Sequence, residues 1–253
     1  KLLIIGTCSF TLSSCDEAPQ AVEISPDITL ALANMYRPEE ERARDEGRKP
    51  GDVLAFYDLK KGMTVYEVGA GSGYYTDLMS QVVGQEGRVF AQYSKRSWNN
   101  SKDGFATRFS ARGNIVPYIG QRESLSLPDA SFDFIMVALI WHHMHYDEDS
   151  GDALPLKSQE FLKNSFRLLK PGGTLAIIEH EAREGSDRKT AAQWHRSTKA
   201  ATIADVVGHG FKFEGSSDVL QNPEDDLENH WRSTFEQRDV SQRFVLKFVK
   251  PTG

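Results

Sequence analysis

Hydrophobic positions in this chain come in short β-branched or aromatic runs set between longer mixed stretches. Thr64 to Val68 is the first such run and reads as a buried strand. Gly87-Arg-Val-Phe-Ala-Gln-Tyr93, Asn114 to Ile119, Phe134 to Leu139 and Thr174 to Glu179 read as four more. Phe211-Lys-Phe-Glu-Gly215 starts a sixth strand, and Phe244 to Val249 is a seventh. Between them, Tyr74 to Val83, Ser97 to Arg112, Leu156 to Leu169 and Thr190 to Gly208 carry helical patterns, and Lys170-Pro-Gly-Gly173 ends the third. Strands alternating with helices predict an α/β fold, a doubly wound seven-stranded sheet that is mostly parallel. Upstream, Asp27 to Met35 and Pro50 to Tyr57 read as helices, and the very polar Glu39 to Arg48 reads as a solvated helical face. One domain over 27–253 is expected, with a helical cap (27–60) on a sheet core (61–253).

The first strand runs into Gly69-Ala-Gly-Ser-Gly73. Gly69 permits a tight turn, Gly71 lets a ligand lie on bare backbone, and Gly73 lets helix and strand pack closely. The free N–H groups of the following helix suit a carboxylate or phosphate. Glu67 adds a negative charge for an ammonium group or a ribose hydroxyl.

Glu67-Val-Gly-Ala-Gly-Ser-Gly73 resembles the first motif of class I S-adenosylmethionine-dependent methyltransferases. Leu127-Pro-Asp-Ala-Ser-Phe-Asp133, Leu168-Leu-Lys-Pro-Gly-Gly173 and a closing strand pair without a full helix between extend the likeness over nearly all of 50–250. Arg48-Lys-Pro50, Gly71-Ser-Gly-Tyr-Tyr75, Glu179-His180 and Gln242-Arg-Phe-Val-Leu-Lys-Phe248 are similar to a little-characterised family of bacterial methyltransferases that often carry secretion signals. The resemblance implies a Rossmann-like fold and S-adenosyl-L-methionine as cofactor, held by Glu67, Gly69, Ala70, Gly71 and Gly73. It supplies no acceptor. Two positions depart from the family pattern. Where an acid usually holds the ribose hydroxyls stands Tyr93, flanked by Gln92; where an Asp usually reads the adenine amino group stands Gln121, followed by Arg122. Gln92, Tyr93, Gln121 and Arg122 are the cofactor contacts expected at these places, where a neutral group forgoes the charge-assisted hydrogen bond.

Methyl transfer needs alignment and, for a protonated nucleophile, a base. His142 and His143 of Trp141-His-His-Met-His145, together with His180, are the candidate bases. His142, His143 and His145 beside Asp147, Glu148 and Asp149 also raise a metal site. None is assigned, because adjacent loop histidines generally diverge and acidic runs are generally solvated.

A formal net charge of −6 argues against a nucleic-acid partner. The opening Lys1 to Cys15 is a charge, a short apolar run and Leu12-Ser-Ser-Cys15, which resembles a bacterial lipobox. Residues 1–15 are thus expected to be a lipoprotein signal and 16–26 a tether, with a lipid on Cys15 anchoring the chain at the periplasmic side of the cell envelope. Asp16 resembles an inner-membrane retention signal. The expected acceptor is a small molecule or lipid-proximal group. The competing readings are a non-enzymatic envelope lipoprotein with a degenerate methyltransferase fold, and a metal-dependent hydrolase built on the histidines.

Overall fold

In the computed structural model, which describes residues 22–235 and 239–253, seven strands form one sheet. They are β1 (Thr64–Val68), β2 (Arg88–Tyr93), β3 (Ile115–Ile119), β4 (Phe132–Ala138), β5 (Leu169–His180), β6 (Lys212–Ser217) and β7 (Arg243–Val249), in the order β3-β2-β1-β4-β5-β7-β6. Neighbouring pairs are parallel except that β7 lies antiparallel between β5 and β6. The strand order reverses between β1 and β4, so the loops leaving their C-terminal ends open beside each other.

Period-two alternation divides the core. Val65, Val89, Phe134, Met136, Ala176 and Ile178 point to one face, packed by α1 (Pro26–Ala33), α4 (Pro50–Phe56) and α5 (Tyr74–Val83). Tyr66, Val68, Ile135, Val137, Leu175 and Ile177 point to the other, packed by α7 (Leu156–Leu168). Burial on both faces explains why these strands read as near-continuous hydrophobic runs. Between β2 and β3, α6 (Lys95–Phe109) has a weak pattern because it buries only an aromatic edge, Trp98, Phe105 and Phe109, against Tyr93.

Three expectations are corrected. The polar stretch after Pro38 is not one solvated helix but two single turns, α2 (Glu39–Arg42) and α3 (Asp45–Arg48); Glu39, Glu40 and Glu46 are exposed, but other charges face inward. Glu41 is buried and pairs with Arg108; Arg44 and Arg48 pair with Asp239 at 2.7 and 2.8 Å. The long helix expected over 190–208 is broken into α8 (Arg188–Gln193) and α9 (Lys199–Val207). The break has a physical cause: His195 takes a left-handed φ of 53°, and Arg196 turns inside to meet Asp225 at 2.8 Å, both side chains fully buried. Finally, β5 already begins at Leu169, paired with Phe132, and the irregularity that follows accommodates Pro171-Gly-Gly173. Beyond Asn222 the chain crosses the sheet end, forms the short α10 (Trp231–Thr234) and returns to β7. The lipobox and most of the tether lie outside the described residues. No described helix is long and apolar enough to cross a membrane.

Candidate active site

The glycine loop leaves β1 with Gly69, Gly71 and Gly73 all at positive φ, 66°, 58° and 89°. A side chain at Gly69 would strike Ile140 at 2.8 Å, and one at Gly73 would strike the Phe109 ring at 2.7 Å. Gly73 therefore permits close packing against the crossover helix α6, not against a strand as expected. At Gly71 the nearest atom to an added Cβ is the Gly69 carbonyl at 3.9 Å. Its backbone is bare on the side of a cavity of about 230 Å³ bounded by Glu67, Gly69, Ala70, Gly71, Arg44, Arg48, Ala138 and Leu139. Leu139 holds a strained φ of 59°, stabilised by its N–H to the Ile178 carbonyl at 2.8 Å, and so turns the chain away from β4.

Glu67 is 4% exposed, and its carboxylate accepts a 2.5 Å hydrogen bond from the Thr76 hydroxyl. Burial pushes its pKa up to about 8, against the lowering influence of Thr76 and Arg48. The Arg48 guanidinium lies 4.5 Å from the centre of the Tyr74 ring, in the same wall. An acid and two guanidinium groups thus face one small cavity at the start of α5.

A second cavity, of about 680 Å³, shares Arg44, Gly71 and Ser72 with the first and is lined by Tyr93, Phe105, Glu41 and Arg108. Tyr93 is buried, with its ring 5.2 Å from Trp98, and burial raises its phenol pKa. Gln92 is committed elsewhere. Its side-chain oxygen accepts from the Gly69 N–H at 2.9 Å and its amide donates to the Gly120 carbonyl at 2.7 Å. The expectation that Gln92 meets the cofactor is corrected: it is a strut between two loops. The acid absent from the end of β2 has a counterpart in Glu41, delivered by α2, but Arg108 already takes up that carboxylate. Gln121 and Arg122 do not reach either cavity. They line a third, of about 570 Å³, with His143, Met144 and Tyr146, because the chain after β3 turns towards the β4 loop.

The histidines converge at the ends of β4 and β5. Trp141–His143 forms a 3-10 turn whose buried Trp141 anchors it. His142 gives its backbone N–H and its Nδ1 to the two oxygens of Glu179, each at 2.9 Å. His143 is exposed, and its Nε2 lies 3.1 Å from that of His142. Burial and the neighbouring imidazoles hold the His143 pKa down to about 4. His180 is buried, gives Nδ1 to Ser241 at 2.7 Å and stacks on Trp231 with ring centres 4.5 Å apart. Burial, with His142 and nearby arginines, drives its pKa well down. His145 faces Ser197 instead, and Asp147, Glu148 and Asp149 are exposed.

Residues that local reading missed complete the cluster. His195, on the break between α8 and α9, brings its ring centre within 5.2 Å of that of His142 and 5.3 Å of that of His143. His230 and Trp231 fold over from the segment before β7. Their aromatic character was the available signal; their position depends on chain far away in sequence.

Residues 66–177 match a family model described as a methyltransferase domain. That stretch is less than half of the chain, and the sheet that contains it has the Rossmann-like methyltransferase fold. More particularly, the chain is 25% identical over 177 residues to a ubiquinone/menaquinone biosynthesis C-methyltransferase UbiE of Pseudoalteromonas translucida, covering 69% of this chain and 66% of that protein. The UbiE of Salmonella arizonae is 26% identical over 48% of this chain and 44% of its own length. The chain thus spans less than two thirds of these curated relatives. Among solved structures, a SAM-dependent methyltransferase from Aquifex aeolicus aligns with a TM-score of 0.59 at 21% identity, over 82% of this chain and 92% of its own. The [4+2]-cyclase SpnF aligns with 0.58 at 16% identity, over 87% and 86%.

Proposed function

We propose that this protein is an S-adenosylmethionine-dependent methyltransferase acting on a small-molecule or lipid-proximal acceptor. The observation that carries the reading is the cavity at Gly71, where bare backbone, buried Glu67 and the Arg44 and Arg48 guanidinium groups face one small space. These groups fit the amino-acid end of S-adenosylmethionine. Glu67 suits its ammonium group; Arg44, Arg48 and the amides opening α5 suit its carboxylate. The adjoining cavity with Tyr93 and Phe105 would take the adenosine, by apolar contact and without a β2 acid.

The bound cofactor would supply an electrophilic methyl group on a sulfonium. The chain's contribution is alignment, exclusion of water under α2 and α3, and acceptance of a proton where the acceptor carries one. Among the histidines first considered as bases, His143 is the exposed one with a neutral ring at neutral pH. His142 is tied to Glu179 and His180 is covered by Trp231, which suits them to positioning.

The match to a methyltransferase domain supports this reading over that of a degenerate, non-enzymatic lipoprotein. Two relatives' names point to a C-methyl acceptor of quinone type, and an apolar acceptor would accord with attachment through Cys15 to the envelope, in keeping with the secreted family the sequence resembles. Calorimetric titration with S-adenosylmethionine tests the proposal. Binding is expected, with loss of at least 100-fold in affinity for Gly71→Arg, whose side chain would fill the cavity. A folded wild-type protein that binds neither S-adenosylmethionine nor S-adenosylhomocysteine would overturn it.

A further inference from the structure

The geometry points to a binding site for one first-row divalent cation, of the zinc type, formed by His142, His143 and His195. One nitrogen from each lies within 4.8 Å of the others. The reason for assigning no metal from sequence was that adjacent loop histidines diverge. Here they converge: the 3-10 turn lays the rings of His142 and His143 together with centres 4.0 Å apart and Nε2 facing Nε2 at 3.1 Å.

The tautomer of His142 makes that convergence informative. Glu179 is fully buried and receives the backbone N–H groups of His142 and His180 as well as His142 Nδ1. A carboxylate so placed keeps the proton of a neutral His142 on Nδ1 and leaves the Nε2 lone pair facing His143. A carboxylate–histidine pair with the opposite nitrogen directed at a cluster of further imidazoles is the outer-shell arrangement of histidine-bound metals. Ligand nitrogens around tetrahedral zinc, at about 2.0–2.1 Å from the ion, stand about 3.3–3.4 Å apart. The His142–His143 pair already matches that spacing. His195, whose nitrogen lies within 4.8 Å of the other two, would close in by no more than about 1.5 Å, and it is half-buried on the short connection between α8 and α9. Three neutral imidazoles with one buried carboxylate behind them leave an open fourth position, the arrangement of a site that takes water or an exogenous ligand rather than a closed structural one. The three ligands are imidazoles and none is a hard oxygen donor, so zinc, cobalt or nickel fits better than magnesium or calcium.

The test uses the full chain produced without a histidine tag or chelator. Elemental analysis of the protein as purified, followed by Co²⁺ titration read by visible absorption, is expected to give about one equivalent with a tetrahedral spectrum. His143→Ala and His195→Ala should each lose at least 100-fold in affinity, while His209→Ala, just past the end of α9 and bonded to the Asp205 carbonyl, should bind as wild type does. Glu179→Gln should retain the stoichiometry and lose about 10–100-fold, the usual cost of an outer-shell partner. Because Glu179 is buried, circular dichroism of that variant must match wild type; His195→Gln provides a milder ligand variant for the same comparison. Less than a tenth of an equivalent in folded wild type after incubation with Zn²⁺ or Co²⁺ would overturn the site. So would affinity unchanged in both His143→Ala and His195→Ala. None of these readouts uses methyl transfer or cofactor binding at Gly71, so the site is tested separately from those; an ion held by His143 would exclude that imidazole as the base named above.

Discussion

Glu67, one residue before the end of β1, has its carboxyl out of solvent and its pKa raised to about 8, burial being the largest cause. For a carboxyl raised in the folded state, the unfolded chain ionises first. The associated stability is complete below the ordinary value of 4.5 and is lost as pH rises towards about 8. Glu67→Gln, neutral throughout, is expected to gain in thermal stability relative to wild type as melts are moved from pH 5 to pH 8.5. An ammonium-bearing ligand needs the ionised form, so its binding should release a proton and tighten with pH up to about 8. In Glu67→Gln the binding should be weaker and independent of pH; a flat profile in wild type would remove Glu67 from the ligand site. The residue was legible in sequence because its place before the glycine turn is local. The adjacent Gln92 was misread because its partner, Gly120, lies 28 residues away on another loop.

At the scale of elements, the start of the glycine loop is held twice by Gln92. Its Ala70 N–H meets the Gln92 carbonyl at 3.0 Å and its Gly69 N–H meets the Gln92 side chain. Gln92→Ala would leave a half-buried donor and carbonyl without their partner, at the lower end of about 1–3 kcal/mol. Chemical denaturation should show that loss, and hydrogen exchange should show faster exchange in 69–73 than in α7. Strand positions were readable because both faces of the central strands are buried, which leaves short near-continuous hydrophobic runs between the longer mixed stretches of the helices. Where an element is shaped by a buried ion pair, as at Arg196 and Asp225, periodicity spans the break and reads one helix for two.

Across the whole molecule, the cap is joined to the far end of the chain. Arg44 and Arg48 meet Asp239 across 195 and 191 residues, and Arg108 joins Glu41 to Asp77 and to the Ser72 carbonyl. The Asp239 carboxylate is raised by burial and lowered more by the two arginines, and its net pKa lies below the ordinary value. Asp239→Asn should cost towards the lower end of the roughly 3–5 kcal/mol of a broken buried pair, since both arginines retain some solvent. Exchange in 39–48 should rise and cofactor affinity should fall, because the same arginines line the Gly71 cavity. Unchanged exchange in that segment would mean that the cap is held by α1 and α4 alone. The fold by itself does not select the chemistry: a [4+2]-cyclase shares it as closely as a methyltransferase does.

The sequence by itself determined the strand–helix alternation, the glycine turn with Glu67 before it, and hence the fold. These follow from local demands, two-residue alternation and positive φ, that are satisfied within a few residues. The tertiary structure alone decided that polar α2 and α3 turn inward, that Gln92 braces a loop, and that five histidines from four segments meet around Glu179. Those outcomes depend on charges and imidazoles finding partners dozens to hundreds of residues away, and only the assembled sheet sets those distances.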